Sequence, residues 1–342
     1  MDSLDIASAA RGRHALLFAT DKTAREYAVA VLKYTFAFDA HGRETIDEET
    51  GAMPYLVDEC NGSDPAKASI RKPSDLFEVK PGTDVLLVGH AHAPVGRSAS
   101  HVDVSLRVGP ISKTVRAHGL RVWQAGTFGG LMPGPARPIR EPVPLIYELA
   151  WGGLDLEDPE RPVGEWRNMV GRGVARDWRK LVGQPAAQLE DPRSPVQGGR
   201  ENVPASFGAI HRHWRPRADF AGTYDDAWMR DKMPLLPDDF DPRFHVTVPH
   251  DQWSPAPLRG DEPVEVVGAT PEGTWRFSLP RIVPGFSSRV DGRLQEHRTH
   301  LDTFLIDADA KRVELTWRAA IPVPRKLERL QTIEIVEKTI VG

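Results

Sequence analysis

Residues 80–123, KPGTDVLLVGHAHAPVGRSASHVDVSLRVGPISKTVRAHGLRVW, decide how this chain is read. Residues 84–90 are a run of β-branched and aliphatic residues closed by Gly89 and His90. Residues 101–108 alternate, with Val102, Val104, Leu106 and Val108 on one side, and residues 111–118 follow a Gly109-Pro110 break. Two β-type runs around a tight turn predict a hairpin. The same stretch holds His90, His92, His101 and His118. It is therefore either architecture or a metal site, and that choice separates a binding protein from an enzyme.

The pattern continues outward on both sides. Residues 27–39, YAVAVLKYTFAFD, put Tyr34, Phe36 and Phe38 on one face and Lys33, Thr35 and Ala37 on the other, the period of a half-buried strand. A polar, turn-rich stretch over residues 41–81 predicts loops with one short strand. Residues 144–151 suit a strand or one helical turn. Residues 263–269 with 275–279, and 300–307 with 312–320, predict two further hairpins. Helix signals are few; residues 326–337 are the strongest and suit a strand equally well. The expected fold is mainly β, with antiparallel strands in a sandwich or open barrel and long ordered loops. One domain over residues 1–342 is expected. The alternative is a β-rich 1–151, a loop-rich insertion 152–259 and a β-rich 260–342.

That middle region is crowded with Pro, Asp, Gly and Arg, and Trp151, Trp166, Trp178, Trp214, Trp228 and Trp253 lie in it or at its border. A long aperiodic stretch is unusual inside a compact domain, and its aromatics argue against disorder. An ordered layer pinned by tryptophans is expected. It serves either as a binding surface or simply as anchoring.

Composition narrows the class. The chain has 342 residues, 40% hydrophobic and 27% charged, with 29 Gly and 30 Pro, as suits a folded protein rich in turns. A net charge of −4 makes nucleic acid a poor default partner. A lone cysteine, Cys60, excludes an intramolecular disulfide and fits a reducing cytosol. No signal peptide and no membrane-length apolar run is read, so a cytoplasmic protein is expected.

Candidate chemistry is sparse. His90 and His92, two apart, share one face of a strand and suit a divalent metal if a carboxylate and others of His118, His211, His213, His245 and His250 join them. No HExxH and no paired cysteine ligands occur. Strand-end histidines bonded to loop backbone are the plainer reading. Asp225, Asp226, Asp238, Asp239 and Asp241 suit acid–base work less well than turn capping. Nucleophile elbows and phosphate-binding glycine loops are absent, and Gly171-Arg172-Gly173 by itself is too short a signal. Residues 211–217, HRHWRPR, can grip phosphate or a carboxylate-rich partner, or form an ordinary surface loop. No catalytic, metal or cofactor residue is assigned.

Several long phrases stand in a fixed order: PGTDVLLVGHAHAP, DVSLRVGPISKTVRAHG, PLIYELAWGG, PASFGAIHRHWRPRADFAGTYDDAW, LPDDFDPRFHVTVPHDQW and LRGDEPVEVVG. This series, from Tyr27 to Arg318, resembles the bacterial family catalogued as domain of unknown function 2169. The resemblance implies an adaptor or chaperone of the type VI secretion system, which holds a toxic effector and helps load it on the spike or its PAAR-type tip. It implies no catalytic residues. The expected contacts for such a partner are Trp166, Trp178, Trp214, Arg215, Tyr224 and Trp228, because Trp, Tyr and Arg dominate interface hot spots. Two alternatives stay open. One is a metal-dependent hydrolase using His90 and His92; the other is a carbohydrate- or ligand-binding β-protein with tryptophan platforms.

Overall fold

The computed structural model describes residues 5–39, 42–126, 129–197, 201–323 and 327–337. The fold is mainly β, and no sheet closes into a barrel. The largest sheet has seven strands. Its order is Trp253–Ser254, Thr83–Val88, Leu301–Asp307, Arg312–Pro322, Glu26–Phe38, Arg13–Thr20, with Glu44–Ile46 also paired to Glu26–Phe38. A five-stranded sheet runs Leu189–Glu190, Ile111–His118, His101–Val108, Pro263–Val267, Thr274–Ser278. A four-stranded sheet runs Asp5–Ser8, Leu330–Glu337, Pro284–Val290, Arg293–His297.

The opening stretch therefore feeds both main sheets. Thr83–Val88 enters the seven-stranded sheet parallel to Leu301–Asp307, with Val85 opposite Phe304 and Leu87 opposite Ile306. Parallel pairing demands a crossover, and here it carries the five-stranded sheet and the whole loop-rich middle. All six residues of Thr83–Val88 are buried, as expected for a strand covered on both faces. The expected hairpin is present with Ile111 opposite Val108 around Gly109, whose φ of 51° suits glycine at such a turn. Its Val104, Leu106, Val115 and Ala117 point inward, and the alternate residues face outward. Both C-terminal hairpins also form, and residues 330–337 are a strand rather than a helix. The 144–151 stretch makes a short 3-10 turn, Tyr147–Leu149. Asp226–Asp231 is the one α-helix among the described residues.

One apolar cluster joins the sheets. Leu32, Tyr34, Phe304, Leu315 and Trp317 come from the large sheet, Val104, Leu106 and Val266 from the five-stranded one, and Phe286 and Ile333 from the third. Tyr147, Phe207 and Trp214 enter from the loop-rich middle. Tyr34 meets Trp317 edge to face at 5.9 Å.

The opposite face of the seven-stranded sheet is also covered, and it is partly ionic. Lys33 Nζ lies 2.6 Å from Asp75 and 3.3 Å from Glu314, and 3.5 Å from the centre of the Tyr55 ring. Glu314 also accepts from Lys72 and from the Tyr55 hydroxyl, both at 2.8 Å. Arg318 pairs with Asp302 and donates to the carbonyls of Asp75 and Phe77 at 2.9 Å. Lys80 Nζ sits 2.6 Å from Asp84, whose carboxylate also takes the backbone N–H and hydroxyl of Thr247. These charges are buried and matched, the arrangement that makes their desolvation tolerable.

His245 closes this layer among the rings of Phe77, Phe240 and Phe244. Burial, then Arg318, Arg217 and Lys80, lower its pKa to about 3. An unfolded histidine titrates near ~6.5, so the unfolded chain binds the proton first. The contribution of neutral His245 is complete above that value and is lost as pH falls from there toward about 3. His245→Phe is expected to lose less stability than the wild type between about pH 7.5 and about pH 5, by urea midpoints. Parallel losses in the two proteins would contradict this assignment.

Candidate functional site

The six residues expected to meet a partner do not form one patch. Trp214 is 0% exposed. Its ring stands edge to face with Tyr147 at 5.7 Å and tilted against His211 at 4.8 Å. It belongs to the core, so as a surface contact it is corrected: the segment 211–217 turns every third side chain inward. His211 bonds the Ala68 carbonyl at 2.8 Å, and Arg217 donates to the carbonyls of Ile210 and Phe244. Arg212, His213 and Arg215 are left outside.

Trp178 is half-buried against a small cluster of Trp123, Leu131, Ala186, Ala187 and Val196. The Arg179 guanidinium lies 5.1 Å over its ring. Tyr224, 53% exposed, meets Trp228 at 4.7 Å, and Trp228 donates its indole N–H to the Leu235 carbonyl. Asp225 caps the short helix by accepting from the Trp228 amide, as the turn-capping reading expects. Of these aromatics Trp228 lines a shallow cleft with Thr223, Pro237 and Asp239.

Trp166 and Arg215 do come together. Trp166 is 40% exposed, and its carbonyl accepts the Arg215 amide at 2.9 Å. Arg215 borders a groove of about 410 Å³. Buried Tyr147 and Ile210 lie at its base, and Val203, Pro204, Pro216 and Pro249 form its walls. Arg167, Asp219 and His250 complete the rim. Prolines have fixed φ and no N–H donor, so the walls are stiff and apolar. The rim charges are already matched. Arg167 grips Glu165 with two bonds of 2.7 Å and donates to the Asn202 carbonyl, and Arg215 lies 3.2 Å from Asp219. An apolar floor inside a balanced polar rim is the anatomy of a protein-docking surface.

The wall residues escaped the sequence reading, since Pro204, Pro216 and Pro249 are far apart along the chain. Their one signal is the proline density of residues 204–249.

The histidine pair has a different setting. His90 Nδ1 lies 2.8 Å from Asp309, and the His92 backbone N–H bonds the Gly268 carbonyl. Burial lowers the His92 pKa, against the opposing pull of Asp309. Among the described residues no group of three or more His, Cys, Asp or Glu side chains converges as a metal cage would. Nor is any helix among the described residues long and apolar enough to cross a membrane.

Trp214→Ala is expected to lose about 3–5 kcal/mol of stability by chemical denaturation. Trp166→Ala should stay within about 1 kcal/mol of wild type. Equal losses would contradict the division between buried anchor and exposed surface residue.

Neither a curated protein nor a solved structure matches this chain. A family model described as an uncharacterized protein conserved in bacteria, DUF2169, matches residues 23–318. That span covers the five-stranded sheet, the ionic layer, the groove and the seven-stranded sheet apart from Arg13–Thr20 and the end of Arg312–Pro322, and the chain belongs to this bacterial family.

Proposed function

We propose that this protein is a non-enzymatic adaptor that docks an apolar segment of a protein partner in the proline-walled groove beside Trp166 and Arg215. The groove itself is the observation that carries this reading. Its walls offer apolar side chains, its rim charges satisfy one another, and Trp166, partly exposed, adjoins it through its backbone bond to Arg215. A pocket of this kind accepts one or two apolar anchors and leaves the surrounding contacts polar and reversible.

The sequence resemblance supports a more specific partner. It points to a toxic effector of the type VI secretion system as the cargo and the spike or its PAAR-type tip as the acceptor. In that role the adaptor covers apolar surface of the effector in the cytoplasm and releases it at the spike. The work is done by complementarity, so it needs neither a cofactor nor a nucleophile.

The test is affinity capture from the native bacterium with the full chain as bait, comparing wild type with Val203→Asp. The variant puts an unpaired carboxylate on the apolar wall while changing an exposed side chain. Wild type should recover a toxin-like effector or a spike-tip protein, and the folded variant should recover about ten-fold less or lower still. Equal recovery by both baits, or a clean wild-type bait, would overturn the reading.

A further inference from the structure

A second cavity, of about 720 Å³, lies on the other side of the 213–215 segment. His213 lines it, Arg215 lines the groove, and buried Trp214 separates the two. Its apolar lining includes Leu154, Met169, Val170 and Leu181. The charged or titratable side chains on its wall are Lys67, Arg172 and His213, and no carboxylate lines it.

Arg172 is the unusual member. Its backbone is locked by an N–H bond to the Ala150 carbonyl and by parallel pairing with Trp151. The flanking glycines are required by close approach. A Cβ at Gly171 would meet Asn168 Nδ2 at 2.4 Å, and one at Gly173 would meet the Trp151 ring at 2.3 Å. The Gly-Arg-Gly triplet thus presses the backbone against two neighbours and commits the arginine to the cavity. Among the described residues the guanidinium makes no hydrogen bond and no ion pair. The carboxylate that acts on it is Glu148, whose two oxygens already accept the Ser69 N–H at 2.7 Å and its hydroxyl at 2.6 Å. Burial lowers the pKa of Arg172, against the pull of Glu148.

A half-buried guanidinium without an acceptor, set among apolar walls, is a preorganised fork for a carboxylate. Lys67, on the same wall, is already paired with Asp64 at 3.4 Å, which leaves Arg172 as the cation that seeks an acceptor. We propose that this cavity binds the C-terminal carboxylate of a polypeptide whose last side chains are apolar. A chain end places a carboxylate directly beside an apolar side chain, the pairing that Arg172 and its neighbours Met169 and Val170 present. The site is separate from the groove, and it stands or falls whether or not the groove docks an effector.

The probes are N-acetyl-trileucine as the free acid and as the C-terminal amide, titrated into the full chain by calorimetry and tryptophan fluorescence. The acid should bind about ten-fold more tightly than the amide, the ratio expected for a charge-assisted hydrogen-bond pair. In Arg172→Gln, with folding confirmed by its melting curve, that preference should disappear. Arg172→Lys should restore part of it and serves if the glutamine variant fails to fold. Equal binding of acid and amide by the wild type would overturn the proposal. So would absence of binding by either peptide, or an undiminished preference in the glutamine variant.

Discussion

Backbone carbonyls buried without a ladder are the constraint on which this fold depends. Loops of the middle region pack on both faces of the seven-stranded sheet, and a loop under cover must find partners for its peptide groups. Side chains supply them. Arg318 donates to Asp75 and Phe77, Arg217 to Ile210 and Phe244, Asn168 to Tyr147 and Trp151, and Gln252 to Val85 and Phe207. Two of these donors are cations, so charge must be balanced as well. Asp302 answers Arg318, and the neighbouring Lys80 and Lys33 are met by Asp84, Asp75 and Glu314. Arrays of this kind add little net stability over an apolar layer, but removing one member exposes the full penalty of its partner. The arrangement is thus specific in geometry: a loop shifted by one residue would leave charges and carbonyls unmatched.

That specificity is what gives the loop layer two shaped recesses. The groove beside Trp166 and the cavity around Arg172 share residues 213–215 as a partition, and Trp214 holds the partition from within. The segment from Arg167 to Val174 runs from one recess to the other. Surfaces formed in this way are set before a partner arrives, which lowers the ordering cost of binding. Proline walls act in the same direction by limiting the freedom of the unbound loops.

The strands were legible because their signals are local. Alternation through residues 101–118 and the Gly109-Pro110 turn are enough to specify the hairpin, and the expected pair 300–307 with 312–320 reads the same way. Pairing of Thr83–Val88 with Leu301–Asp307 was not legible, since more than two hundred residues separate them and no local pattern encodes register across such a gap. Residues 326–337 were ambiguous for a related reason. Residue 326 lies outside the described residues, and the strand Leu330–Glu337 takes its identity from partners at Asp5–Ser8 and Pro284–Val290. The loop layer was recognisable by its tryptophans, but their number does not say which are inside. In HRHWRPR an inward period of three was available, with His211, Trp214 and Arg217 on one side, and the charge density of the segment concealed it. Lys33 offers the same lesson. A lysine opposite Tyr34 reads as a solvent face until Asp75 and Glu314 are seen across from it.

Hydrogen exchange read by mass spectrometry on the full chain, comparing wild type with Arg318→Met, asks whether buried side chains hold the loop layer in place. The buried parts of the layer, residues 205–211 and 245–248, are expected to exchange in the wild type as slowly as the seven-stranded sheet, despite having few ladder bonds. In the variant, exchange should quicken first over residues 74–80 and the loop layer packed beside them, while the five-stranded sheet keeps its protection. Rapid exchange of residues 205–211 and 245–248 in the wild type, or a uniform change across both sheets in the variant, would contradict a loop layer held in place by buried ionic side chains.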